Sequence, residues 1–222
     1  NTAKIMTPTD WMMIVLSVYF HDLGMLFTRK EFDARAENSD FQKYCRNYNK
    51  KLDESLSQEE KERLQYQDFV RVNHGNRICK WIKNIGDQPE TDNAISKLLY
   101  DMLHYVDDNF RADLAEVCKS HSEGFSQCKD FVTDRPYAQG KEYQANLLYA
   151  AACLRTADLM HINYERTPTT AYLLISPRDV YSRQEWVKQK SITSIRHKKE
   201  FDKDNHLDIN VKIHRLEVVG IF

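Results

Sequence analysis

The chain has 222 residues, and its 32 Lys and Arg against 33 Asp and Glu give a formal net charge of -1, which argues against a protein that holds nucleic acid by bulk electrostatics and leaves only a local basic groove. Six glycines, five prolines, 29% charged and 11% aromatic residues disfavour collagen-like chains, linkers and turn-dense β-sandwiches. The length suits one large domain with a small appendage.

The first strong pattern lies at the N-terminal end. The apolar run Trp11–Phe20 is about half of the roughly 20 residues that a membrane-spanning helix requires, and an acidic residue flanks it on each side, so it predicts a buried helix. Residues 10–27 are nearly all apolar apart from the pair His21-Asp22, which reads as a core helix ending at a polar site. Residues 29–67 are dominated by Lys, Asp, Glu, Asn and Gln, and predict a solvated insertion or lid that builds little core of its own. Within it Ser57-x-x-Glu60 is a capping-box pattern for a helix over 57–67. Helical period returns at Phe69, Val70, Val72, Ile78, Trp81, Ile82 and Ile85, and Gly86 is read as its stop. Further helices are expected over about 92–104 and 112–121. The alanine-rich stretch 143–161, with Leu147, Leu148, Ala151, Leu154 and Leu159 on one side, is expected to cross the core. A short helix is expected over 182–190 around Trp186, and period-2 alternation over 191–198 and 207–219 flanks turn-prone residues 202–205, predicting a β-hairpin. The fold class is therefore mainly α, a helical domain over 1–168 with a small C-terminal β-hairpin or sheet in an extension over 169–222 that begins the connection to a following module. Asn1 in place of Met and the apolar end Val218–Phe222 lead us to expect a piece of a longer protein. Five cysteines without a CxxC spacing predict free thiols in a reducing cytoplasm, and no membrane segment is expected.

Chemistry concentrates in an ordered set, His21-Asp22, His74, His121 and Asp158, each near the end of an apolar helix. A His-Asp dipeptide at a helix end can turn an imidazole nitrogen and a carboxylate oxygen towards one ion, and Asp158 can add another oxygen from the central helix. Mixed N and O donors suit Mn, Fe, Co, Ni or Zn better than Mg. The plainer readings are a helix cap for His74 and a turn hydrogen bond to Ser120 or Ser122 for His121. Cys118-x-x-His121 is half a zinc motif, and a core thiol is the favoured reading of Cys118. Arg77 lies three residues after His74, and Arg155 three before Asp158, so each shares a helical face with its neighbour. Either guanidinium can clamp a phosphate or pair with Asp22 or Asp158. Arg166, after the last of these helices, is a pocket or loop residue. No GxxxxGK[ST], GxGxxG or GxSxG segment occurs, so glycine-loop phosphate cradles and nucleophile elbows are absent from the sequence.

The words Tyr-Phe-His-Asp-Leu-Gly-Met, Arg-Val-Asn-His-Gly-Asn-Arg, Cys-Lys-Ser-His-Ser-Glu-Gly and Leu-Arg-Thr-Ala-Asp-Leu-Met, in this order over residues 10–168, resemble the HD superfamily of metal-dependent phosphohydrolases. The resemblance is in particular to HD domains joined to GHKL-type ATPase modules in bacterial defence proteins. It implies an HD-type helical bundle. His21, Asp22 and Asp158 would ligate a first divalent metal, and His74 and His121 a second one or the scissile phosphate. Asp22, His74 and His121 would carry the catalysis, with Arg77, Arg155 and Arg166 near the substrate. The implied activity is hydrolysis of a nucleotide or related phosphoester, with one or two ions. A nucleotide-type small molecule is the expected partner, ahead of nucleic acid, with an ATPase-type module in the same full-length chain. The alternatives are a single-strand nuclease and a degenerate HD module that senses a nucleotide or holds an assembly together. One departure stands out: the family's additional upstream His ligand has no counterpart among residues 1–20, and is expected on a preceding helix.

Overall fold

The structure, a computed structural model, describes residues 5–48, 52, 54–86, 94–160, 172–173, 180–197 and 207–211. The chain divides into two compact units, Asn1–Lys50 with Leu56–Ala157, and Lys51–Ser55 with Asp158–Phe222.

In the first unit, Thr7-Pro8-x-Asp10 opens α1 (Pro8–Phe20) with a capping box, and proline stands where its missing N–H is not needed. Asp10 is buried, and its second carboxylate oxygen accepts the backbone N–H of Asn146 at 2.7 Å. One carboxylate thus ties the start of α1 to the start of α7 (Leu147–Met160). The helix stops at Phe20, with His21 as its C-cap, at the polar pair where the pattern predicts its end. A single 3-10 turn, Leu23–Met25, follows Asp22.

The polar stretch that follows is more ordered than its composition predicts. Thr28 and Asn38 cap α2 (Arg29–Asp33) and α3 (Ser39–Arg46). Phe32 and Phe41 from these helices meet Tyr66, Phe69 and Val70 of α4 (Gln58–Lys83) in a separate apolar cluster. The rings of Phe32 and Phe41 stand edge-on to Tyr66 at 5.5 and 5.0 Å, an arrangement that adds to area burial. The expectation that this stretch builds little core is corrected: a few aromatic side chains converge on one buried tyrosine. The capping box Ser57–Glu60 is formed, and it starts a 26-residue helix in place of a short one.

The main core is made by α1, α4, α5 (Ala94–Leu103), α6 (Asp108–Ser120) and α7. Met13, Phe20, Ile78, Ile82, Leu103, Leu114, Val117 and Leu154 are fully buried in it. Val72 and Leu159, expected on the buried faces, are exposed, so α7 buries its first half rather than its whole length. Between α6 and α7 a two-residue antiparallel pair, β1 (Arg135–Pro136) with β2 (Gln144–Ala145), closes the loop. The second unit, in its described part, holds α8 (Val180–Ser191) and the antiparallel pair β3 (Ile192–His197) and β4 (Leu207–Val211), with Ile195 opposite Ile209. The fold class is mainly α with a small C-terminal hairpin, as the pattern predicts; residues 212–219 lie outside the described residues. All five cysteines are free. Among the described residues no single helix is long and apolar enough to cross a membrane.

Candidate metal centre

Two helix ends and the middle of a third helix in the first unit bring His21, Asp22, His74 and His121 together, so the expectation that His74 stands near a helix end is corrected. His21 is the last-turn cap of α1 and His121 that of α6, while His74 is mid-helix on α4. Each imidazole is oriented by the same local bond. Nδ1 of His21 lies 2.8 Å from the Val18 carbonyl and Nδ1 of His74 2.6 Å from that of Arg71, and Nδ1 of His121 bonds the Cys118 carbonyl. A carbonyl only accepts, so each Nδ1 carries a proton, and in the neutral tautomer this leaves Nε2 as the donor atom for an ion.

Those Nε2 atoms point at one carboxylate. His21 Nε2 lies 3.3 Å from Asp22 Oδ2, and His74 and His121 Nε2 lie 3.6 and 3.7 Å from Asp22 Oδ1. His21, Asp22 and His121 each offer one donor atom within 4.8 Å of the others. His74 Nε2 adjoins them, 2.6 Å from His121 Nε2. At this separation a proton on one Nε2 is donated to the other, and a bound ion would take that proton's place. The donor set therefore fits a divalent ion of the N/O-binding kind.

Two glycines permit this convergence. A Cβ on Gly24 would stand 2.0 Å from the His74 carbonyl oxygen, and one on Gly75 would stand 2.1 Å from Ser122 Oγ and 3.1 Å from the Lys119 carbonyl oxygen. Gly75 in the middle of a helix costs about 1 kcal/mol relative to alanine, and the close passage of α4 against α6 gives the reason for it. Both glycines stand inside the sequence words that carry the histidines. Three of the six glycines, Gly24, Gly75 and Gly124, fall in those words, a signal that could have found them.

The remaining candidates take other places. Arg77 makes four hydrogen bonds, to the carbonyls of Gly24 and Leu26 and to both carboxylate oxygens of Glu31. Its ion pair is with Glu31 rather than Asp22, and of the two roles expected for it the geometry displays the structural one, holding the turn. Sequence reasoning gave no role to Glu31. Arg155 donates to the carbonyls of Ser120 and Glu123, securing the end of α6 beside His121. Cys118 is fully buried and turns its thiol to the Ser17 carbonyl, the expected core role. Asp158 is half-buried on the last turn of α7 and belongs to the second unit. Arg166 lies outside the described residues.

Electrostatics keep these donors ready. When doubly protonated, His21 donates to Asp22 through Nε2, and this bond holds the Asp22 carboxyl below its ordinary value of 3.8 against the opposing effect of burial. Burial, with the neighbouring imidazoles, holds His121 below its ordinary 6.5. Both folded values lie below the unfolded ones, so each contribution to stability is full above the unfolded value and is lost as pH falls through the folded one. The metal-free protein is thus expected to lose thermal stability from about pH 7 downwards through His121, with Asp22 adding its share below about pH 4. His121→Gln should flatten the melting profile between about pH 5 and 7; a profile identical to wild type would contradict this.

A family model, HD-CE, matches residues 1–213. No curated protein and no solved structure matches the chain.

Proposed function

The chain belongs to the HD-CE family, and on that premise we propose that it is a metal-dependent phosphohydrolase acting on a nucleotide or a related phosphoester. What carries the reading is the triple orientation of His21, His74 and His121. All three Nδ1–H groups are fixed on backbone carbonyls, and all three Nε2 atoms face the Asp22 carboxylate.

His21, Asp22, His74 and His121 would hold one or two ions, with Asp158 as the further oxygen donor named by the family resemblance. Mn, Fe, Co, Ni and Zn suit these donors better than Mg. The chemistry that such an ion supplies when bound is a lowered pKa for a water molecule and neutralisation of charge on phosphate oxygens. The protein's own part is to keep Asp22 ionised and His121 neutral near pH 7. Either Asp22 Oδ or an imidazole Nε2 not engaged by the ion can then accept a proton from the attacking water. In the same reading the domain serves a longer cytoplasmic protein of defence type with an ATPase module.

A nucleotide-sensing or scaffolding module without turnover is the second reading. It is favoured by the engagement of Arg77 and Arg155 with backbone and Glu31, which leaves charge neutralisation on the substrate to the ion and to residues beyond these two.

The test loads the full chain with Mn, counts the retained metal, and assays mononucleotides, dinucleotides and single-stranded oligonucleotides at several salt concentrations. The expected result is about one or two equivalents of metal and EDTA-sensitive hydrolysis of small nucleotides, only weakly dependent on salt. Less than about a tenth of an equivalent would overturn the metal-centre reading. Metal without turnover would favour the sensor. Tight binding of oligonucleotides that falls by orders of magnitude between about 50 and 200 mM salt would favour a nuclease.

A further inference from the structure

We propose that Glu31 and Arg77 form a clamp that sets the affinity of the His21–Asp22 centre for its ion, so that α2 governs the occupancy of a site to which it contributes no donor. The inference rests on the metal-centre reading and names two positioning residues.

Asp22 is presented by a short element. The turn Leu23–Met25 that follows it has two backbone bonds of its own, Met25 N–H to the Asp22 carbonyl at 2.9 Å and Leu26 N–H to the Leu23 carbonyl at 3.0 Å. One 3-10 turn is a weak support. The external support comes from α4. Arg77 lies one helical turn after His74, with its side chain only 15% exposed. Its Nε donates to Gly24 O at 2.9 Å and its Nη2 to Leu26 O at 2.8 Å. These carbonyls lie within and just beyond the turn, so the guanidinium grips it where it meets His74.

The grip depends on Glu31. The other edge of the guanidinium meets its carboxylate in a bidentate pair, Nη1 to Oε1 at 2.5 Å and Nη2 to Oε2 at 3.1 Å. This geometry fixes the plane of an otherwise flexible side chain. Glu31 is itself held, because the hydroxyl of fully buried Tyr66 donates to Oε1 at 2.8 Å. Burial and that bond raise the Tyr66 pKa and keep its proton in place. A chain of direct bonds therefore runs from the aromatic cluster through Tyr66, Glu31 and Arg77 to the turn that carries His21 and Asp22.

The clamp is separable from the fold. Met13, Phe20, Ile78 and Leu114 belong to the main core, whereas Tyr66 belongs to the smaller cluster with Phe32 and Phe41. Loosening the ion pair should free the turn while the packing of α1, α4 and α6 persists. Metal centres respond to small displacements of their ligands, about half an ångström being the usual tolerance.

The test uses the full chain with Glu31→Gln, which nearly preserves shape, and Arg77→Lys, which preserves charge without the fork. In the metal-free proteins, amide hydrogen exchange at Met25 and Leu26 should rise about tenfold or more, while amides of α6 exchange as in wild type. Titration with Mn should then give affinities lower by about 10- to 100-fold, and bound Co should show a changed visible spectrum. Unchanged exchange at Met25 and Leu26 in both variants overturns the clamp whatever the metal does. Wild-type metal affinity in both variants, despite faster exchange, overturns its control of the site. If exchange accelerates and wild type itself takes up no ion, the metal-centre reading has failed, and the proposed control of affinity falls with it.

Discussion

Asp22→Ala is expected to leave a folded protein that neither retains a divalent ion nor hydrolyses substrate. The carboxylate is the common partner of all three imidazoles, within 3.3 to 3.7 Å of each Nε2, so its removal takes away the one anionic donor of the cluster. The three imidazole nitrogens would then have only Asp158, the donor that the family resemblance adds, to offset the charge of a divalent ion. Loss of a supporting outer residue at a metal site costs about 10- to 100-fold in affinity; loss of this donor should exceed that and reduce activity by at least about 1,000-fold. The fold should survive, because the Asp22 side chain is 57% exposed and its removal opens no core cavity. Metal titration, circular dichroism and the nucleotide assay on one preparation decide the matter. Wild-type-like affinity or turnover would place the chemistry elsewhere in the chain.

How much of this centre was legible in the sequence depends on what each residue does. His21, Asp22 and His121 stand at the ends of apolar segments, and periodicity locates segment ends, so their convergence was foreseeable as a hypothesis, whereas His74 lies in the middle of α4. The bond that orients each imidazole is also local, from Nδ1 to the carbonyl three residues earlier, and follows from helix geometry. Arg77 was a different case. Its spacing from His74 gave the helical face, but its partners Gly24, Leu26 and Glu31 lie 46 to 53 positions away in sequence, and one chain without relatives carries no sign of such pairing. The polar stretch misled for a related reason. Composition averages over residues 29–67, whereas Phe32, Phe41 and Tyr66 act through a single meeting point that only the tertiary fold brings about. The end of α1 at Phe20 was legible, because the pair His21-Asp22 interrupts an apolar run that otherwise continues through Leu23, Met25 and Leu26, the last two of which are exposed.

Gly24→Ala is the more severe test of the architecture, since it adds one methyl group where two backbones touch. The new Cβ would lie 2.0 Å from the His74 carbonyl oxygen and 2.8 Å from the carbonyl carbon. Neither atom belongs to a side chain that can rotate away, so the turn and α4 must separate. Overpacking of this kind costs about 1–3 kcal/mol and sometimes more, and the same displacement draws Asp22 away from His74. Stability and metal affinity should therefore fall together, with a clear drop in melting temperature and at least a tenfold loss of Mn affinity. Gly75→Ala is the informative contrast. Its nearest obstacle is Ser122 Oγ, a side-chain atom that rotation can move, and alanine gains about 1 kcal/mol of helix propensity over glycine. The expected cost is smaller than that of Gly24→Ala, set mainly by Ser122 Cβ at 3.0 Å and the Lys119 carbonyl oxygen at 3.1 Å from the new methyl group, neither of which side-chain rotation moves. Equal damage from the two substitutions, measured by urea unfolding and Mn titration, would contradict the assignment of the Gly24–His74 contact as the point that fixes the centre.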